Sequence, residues 1–191
     1  MKIIFFDIDG TLICGGSELM SESTKEAIRI ARANGHICMI NTGRTKRLVG
    51  KNLTGQVEFD GLLLGCGTEI EYHGKQLMHK TFSMEESKAI LAAMKKYHVD
   101  AVLEGSREDY APRGEEVFTE TFRHMAREIE NRKYDRYANA PGNYDKLYAY
   151  AETPAGMDGM KHDLSEILDF IDREQAVSYT HLRAHETAAN L

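Results

Sequence analysis

Two carboxylates stand two residues apart in Asp7-Ile8-Asp9-Gly10-Thr11-Leu12, directly after the short apolar run from Lys2 to Phe6. Where a strand ends, its strict side-chain alternation ends too, so both acids can turn toward one site. Paired carboxylates repel, and each is stabilised by a proton or a hard cation. Magnesium, held by oxygens and by a substrate phosphate, is such a cation. Asp7 could then attack phosphorus as a nucleophile, while Asp9 protonates the leaving oxygen and later activates water. Gly10 permits the tight turn this needs. An Asp beside a Gly also forms turns for purely structural reasons. That reading leaves unexplained the second acid, the Thr, and a matching polar motif after the next apolar run.

The matching motif is Asn41-Thr42-Gly43-Arg44, which follows His36 to Ile40. Thr42 offers a hydroxyl and backbone amides to a phosphate oxygen, and Gly43 lets the backbone come close. Arg44 either neutralises phosphate charge or pairs with an acid. The candidate site is therefore Asp7 and Asp9 for catalysis and metal binding, with Thr42, Gly43 and Arg44 for phosphate.

The elements that must position these residues are legible in the patterning. Lys2 to Phe6 reads as a central parallel strand buried on both faces. Ser23-Thr24-Lys25-Glu26 reads as a capping box, opening a helix with a stripe of Ala27, Ile30 and Ala31 and a stop at Gly35. Strand, helix, strand implies a right-handed crossover and a parallel sheet, whose C-terminal edge is where ligands bind. Thr45 to Leu53 reads as a helix and Gly61 to Leu64 as a third buried strand. Ile70 to Leu77 reads as a hairpin around His73-Gly74-Lys75.

From about Phe82 the rhythm changes. Ser83 to Glu86 is a second capping box, and it is followed by a strand at Val99 to Leu103. Phe118, Phe122, Met125 and Ile129 mark one helix face packed on a sheet. Asp145 to Glu152 alternates as a half-buried strand, and Leu164, Ile167, Leu168 and Ile171 stripe a final helix. The segment after about Gln175 has no clear period and resembles a translated sequencing-adapter tail. In it, His181 and His185 are spaced to share a metal on a helix, but no third ligand accompanies them.

The formal net charge of -6 gives no sequence-wide positive field for nucleic acid or an anionic membrane, so a small diffusible substrate is expected. The three cysteines, Cys14, Cys38 and Cys66, are odd in number and widely spaced, and read as reduced, mostly buried thiols. The N-terminal apolar run is too short for a signal peptide or a membrane span, which makes the cytoplasm the expected compartment. The oligomeric state leaves no sign in the sequence.

The motifs Asp7-Ile8-Asp9-Gly10-Thr11 and Thr42-Gly43-Arg44 resemble those of the haloacid dehalogenase superfamily, more narrowly its Cof-type sugar-phosphatase branch. The resemblance implies an α/β fold: a Rossmann-like core over residues 1–81, here incomplete, with an inserted α/β cap domain over 82–175. Residues 176–191 are then a non-native tail. It also implies an aspartyl-phosphate on Asp7, acid/base work by Asp9, phosphate binding by Thr42, and Mg2+ held by Asp7 and the Asp9 carbonyl. The substrate class would be small phosphorylated metabolites, often sugar phosphates. Cys66-Gly67-Thr68 stands where the family places Asn-Gly-Ala. The family's later lysine and Gly-Asp motifs have no counterpart, so the chain is expected to be the N-terminal portion of a longer protein and to hydrolyse phosphate esters poorly. A phosphomutase with the same nucleophile and an inactive metal- or phosphate-binding remnant are the alternatives.

Overall fold

The computed structural model describes residues 1–15, 17–131, 134–140, 142–173 and 177–182. They form two compact units, Met1–Lys80 and Thr81–Leu191. Among the described residues, no helix is long and apolar enough to cross a membrane.

The first unit runs β1 (Ile3–Phe6), α1 (Glu22–Ala33), β2 (Ile37–Asn41), α2 (Lys46–Thr54), β3 (Gly61–Leu64), β4 (Glu69–Tyr72) and β5 (Lys75–His79). Its sheet has the order β1-β2-β3-β4-β5, parallel from β1 to β3 and antiparallel through the hairpin β4-β5. This is the parallel α/β sheet that the strand-helix-strand pattern predicts, and the Rossmann-like arrangement that the family resemblance implies. Ile28 of α1 and Val49 and Leu53 of α2 share one apolar cluster with Cys38, Ile40 and Leu64. Consecutive right-handed crossovers along a sequentially ordered sheet place both helices on that same face.

That arrangement corrects the reading of β1 as a central strand buried on both faces. β1 is the edge of the sheet, and on it Ile3 and Phe5 are 53% and 51% exposed. Ile4 and Phe6, which alternate with them, pack on the helix-covered side. The first helix also begins earlier than its predicted capping box. Ser21 is the N-cap, its hydroxyl accepting the Thr24 N–H, and the inward residue is Ile28 while Ile30 faces out. Gly50 interrupts α2 with φ near 60°, which only glycine adopts without strain. Of the three thiols only Cys38 is buried; Cys14 and Cys66 lie in exposed loops beyond the strand ends.

The second unit runs α3 (Met84–Tyr97), β6 (Val99–Glu104), β7 (Asp109–Ala111), α4 (Glu120–Asn131), β8 (Asp135–Arg136), β9 (Lys146–Ala151), α5 (Pro154–Asp163), β10 (Leu168–Arg173) and β11 (Val177–Leu182). Its sheet order is β10-β11-β9-β6-β7-β8. Ser83 and Glu86 close the predicted capping box of α3. Ile90, Met94, Leu103, Leu147 and Met160 pack into one cluster between α3, α5 and the sheet. Phe122 and Ile129 of α4 join a second cluster, with Val102, Ala111 and Tyr134.

The predicted final helix is a further correction. The helix is α5, opened by Thr153 as N-cap with Pro154 in the first turn, and it ends at Leu164. Beyond it the apolar period is two: Leu168 is buried and Phe170 packs beside it, whereas Ile171 is exposed. Leu168 to Arg173 is accordingly a strand, and it pairs with β11. β11 falls in the stretch expected to be a tail, and lies between β9 and β10. His181 is in that strand, and His185 lies outside the described residues.

Candidate active site

The loop after β1 is built as an anchored turn. Ile8, Leu12 and Ile13 are buried, and between them the backbone curls back. The Ile8 carbonyl accepts from the N–H groups of Thr11, Leu12 and Ile13 at 3.4, 3.1 and 3.1 Å, and the Asp7 carbonyl accepts from Leu12 at 3.3 Å. Gly10, with φ near 80°, donates to the Ile13 carbonyl at 2.9 Å. The apolar side chains fix the turn in the core, and the two acids that flank Ile8 are left exposed.

The second motif is carried to the same edge by strand register. Phe6 lies opposite Ile40, so Asp7 follows β1 where Asn41 ends β2, and Thr42 comes one residue later. Neighbouring strands are about 4.8 Å apart. The segment from Thr42 to Thr45 is zipped to the loop after β3. Thr42 donates to the Leu63 carbonyl at 3.0 Å, Gly65 donates to the Arg44 carbonyl at 2.9 Å, and Cys66 donates to the Thr42 carbonyl at 3.3 Å. Thr42 is 4% exposed, and its hydroxyl oxygen accepts the Arg44 N–H at 3.2 Å. A Cβ at Gly43 would stand 3.3 Å from the Cys66 sulfur, so glycine lets the two loops approach.

Arg44 settles on the acid. Its Nε donates to Asp9 Oδ2 at 2.9 Å and a terminal nitrogen donates to Oδ1 at 2.5 Å, a forked pair. Of the two roles open to Arg44 in the sequence, this is the pairing one. The structure thus brings Asp7, Asp9, Thr42, Gly43 and Arg44 to one sheet edge. A cavity of about 310 Å³ opens beside them, lined by Asp9, Gly10, Ile13, Cys14, Gly15, Ser17, Glu18 and Arg44. A larger one, about 440 Å³, lies along α2 and the start of β3 and holds none of these five residues.

Among the described residues none bonds to the Asp7 carboxylate, and the bonds that close the turn run to the carbonyls of Asp7, Ile8 and Ile13 rather than Asp9. An exposed carboxylate without a cation, beside a carbonyl outside the turn's own bonds, is a hard-oxygen donor set of the kind magnesium takes.

Beneath the site, Asp60 ties the unit together. It accepts from Arg32 at 2.9 and 3.1 Å and from the Cys38 N–H at 2.8 Å. Burial pushes its carboxyl up, but the bonds from Arg32 and Cys38 outweigh that and hold it below the usual carboxylate range. Sequence reasoning missed this residue and also Gln56, whose side chain accepts the Met20 N–H at 2.8 Å and donates to the Glu18 carbonyl at 2.7 Å. Contacts across 36 and 38 positions carry no local signal.

The model of the haloacid dehalogenase-like hydrolases matches residues 4–180. The chain belongs to that family. By sequence, no curated protein matches it. Solved structures share its fold. A phosphatase of the superfamily from Bacteroides thetaiotaomicron is similar at a TM-score of 0.77 and 17% identity, over 96% of this chain and 68% of that one. A subclass IIB sugar phosphatase of the superfamily gives a TM-score of 0.70 at 19% identity, over 96% of this chain and 71% of its own. A hypothetical protein from Geobacillus kaustophilus gives 0.72 at 19% identity, over 95% and 69%. As a member of this family, the chain is a hydrolase.

Proposed function

We propose that the chain is a phosphomonoesterase for small phosphorylated metabolites, sugar phosphates foremost, acting in the cytoplasm through a covalent aspartyl-phosphate. The observation that carries this is the register of β1 on β2, which sets an unpaired carboxylate at Asp7 beside the Thr42-Gly43-Arg44 loop. In this reading residues 1–81 belong to the catalytic core and 82–175 to an α/β cap domain.

An Asp7 oxygen attacks phosphorus and the bond to the leaving oxygen breaks, with a proton supplied from Asp9. Arg44, forked on both Asp9 oxygens, holds that carboxyl group in place at the sheet edge and releases one oxygen when Asp9 carries the proton. Asp9 then takes a proton from water, which attacks the phosphorus and returns Asp7 to a carboxylate. Thr42 and the amides around Gly43 orient the phosphoryl oxygens. Asp7 and the Asp9 carbonyl are the groups that would hold Mg2+, whose charge offsets that of the phosphoryl oxygens. Charge balance also makes turnover slow, since a lysine beside Asp7 that could share this task is absent among the described residues.

Beryllofluoride, a mimic of an acyl phosphate, tests the reading directly. With magnesium present, 19F NMR is expected to show an adduct on the wild-type chain and none on Asp7→Asn. A wild-type chain that forms no adduct would overturn the proposal, as would an Asp7→Asn variant hydrolysing p-nitrophenyl phosphate at the wild-type rate.

A further inference from the structure

The cavity beside Asp9 is uneven in charge. Among the described residues that line it the one cation, Arg44, is engaged on Asp9. Glu18 lines the same cavity, its side chain is exposed, and no described residue bonds to its carboxylate. The loop that carries it is nonetheless held in place. Ser17 donates to the Cys14 carbonyl at 3.2 Å, and its hydroxyl oxygen accepts the Leu19 N–H at 3.0 Å. Gln56 then clamps the backbone on both sides, through the Glu18 carbonyl at 2.7 Å and the Met20 N–H at 2.8 Å. Met20 itself is 4% exposed, which roots the loop in the core. A held backbone thus carries an uncompensated carboxylate, and Ser17 before it, into the lining of the same cavity that the Asp9–Arg44 pair lines.

A volume of about 310 Å³ is at the small end of ligand pockets, the size for one compact polar group rather than a nucleotide. From this, and resting on the phosphatase reading above, we infer that Glu18 is a specificity residue for the leaving group: the site takes monophosphates of neutral or ammonium-bearing polyols and rejects those that carry a second anion. Hydroxyl and ammonium donors satisfy the Glu18 carboxylate, and an ammonium also neutralises it. A second carboxylate or phosphate on the ligand meets like charge from Glu18, with no free cation among the described lining residues to offset it.

The test is calorimetric titration of the 191-residue chain, with magnesium, against three six-carbon probes of similar size: glucosamine 6-phosphate, glucose 6-phosphate and 6-phosphogluconate. In the wild type, glucosamine 6-phosphate is expected to bind on the order of tenfold more tightly than 6-phosphogluconate, with glucose 6-phosphate between them. Glu18→Gln should shrink that ratio to about threefold or less, and Glu18→Lys should invert it. Because Glu18 is exposed, neither variant threatens the fold. Equal binding of all three by the wild type, or a ratio unchanged in both variants, would overturn the inference. The beryllofluoride adduct on the wild-type chain is read separately. An adduct with unmoved binding ratios sinks only the role of Glu18, whereas moved ratios without an adduct support that role and sink the nucleophile.

Discussion

Arg44 holds both carboxylate oxygens of Asp9 in one forked contact, at 2.9 and 2.5 Å, across 35 residues of sequence. The side chains are 29% and 60% exposed, and at that exposure an ion pair contributes at most about 1 kcal/mol to stability. Its value is in geometry. Arg44→Ala is expected to leave the urea midpoint nearly unchanged and to lower single-turnover cleavage of an alkyl phosphate by roughly ten- to hundredfold, the scale of a displaced general acid. Cleavage of p-nitrophenyl phosphate, whose leaving group needs little protonation, should fall much less. Arg44→Lys should not restore the alkyl rate, since an ammonium cannot fork across two oxygens. Equal losses on both esters would place Arg44 on the phosphate instead.

How much of this was legible in the sequence depends on whether the signal was local. Asp7, Asp9 and the loop from Thr42 could be placed because each follows an apolar run, and a strand end fixes its next residue in space. The capping box at Ser83 and Glu86 was equally local. The edge position of β1 was not, because Ile3 to Phe6 reads the same whether one face or two are covered. The stripe of Leu164, Ile167, Leu168 and Ile171 suits a helix, yet Leu168 and Phe170 satisfy a period of two once β11 is beside them. Asp60 and Gln56 act only through residues far along the chain.

Asp60 makes the first unit sensitive to acid. Its folded carboxyl is held below the ordinary range, so the stability it contributes is present above about pH 4 and is lost as pH falls through the lower folded value. With its side chain 11% exposed and Arg32 at 24%, breaking the pair costs about 3 kcal/mol. Asp60→Asn should therefore speed hydrogen exchange at the Cys38 amide strongly at pH 7, while the difference from wild type shrinks toward pH 3. A constant difference across that range would show that the charge is not the cause.

Gly61 starts β3 where nothing larger fits. An added Cβ would lie 2.5 Å from the Glu71 carbonyl oxygen and 2.6 Å from the Met39 terminal methyl. The methyl can swing away, but the carbonyl belongs to the paired strand β4 and cannot move without breaking the ladder. Gly61→Ala is expected to destabilise the first unit by about 2 kcal/mol, as overpacking does. The measurement is the urea midpoint, with exchange at β3 amides showing where the loss falls.

Asp100 has the opposite pH sense. It is fully buried, and burial pushes its carboxyl up against the hydrogen bonds it accepts from Thr119 and Phe118. Its Oδ2 takes the Thr119 N–H at 2.7 Å and the Thr119 hydroxyl at 2.8 Å, and the Thr119 oxygen in turn accepts the Phe122 N–H at 3.3 Å in the first turn of α4. A raised folded value means that the contribution of this group is fullest below the unfolded value near 4 and declines as pH rises through the folded one. Asp100→Asn keeps an oxygen for the Thr119 donors without a buried charge, so it should cost less than about 1 kcal/mol at pH 7. Asp100→Ala strands the N–H groups of Phe118 and Thr119 in the interior and should cost about 2–4 kcal/mol. Thermal unfolding of the two variants at pH 5 and pH 8 separates the effects: the Asn variant should gain on wild type as pH rises, and the Ala variant should remain well below it at pH 5. An Asn variant as unstable as Ala would mean that α4 is anchored by the charge itself.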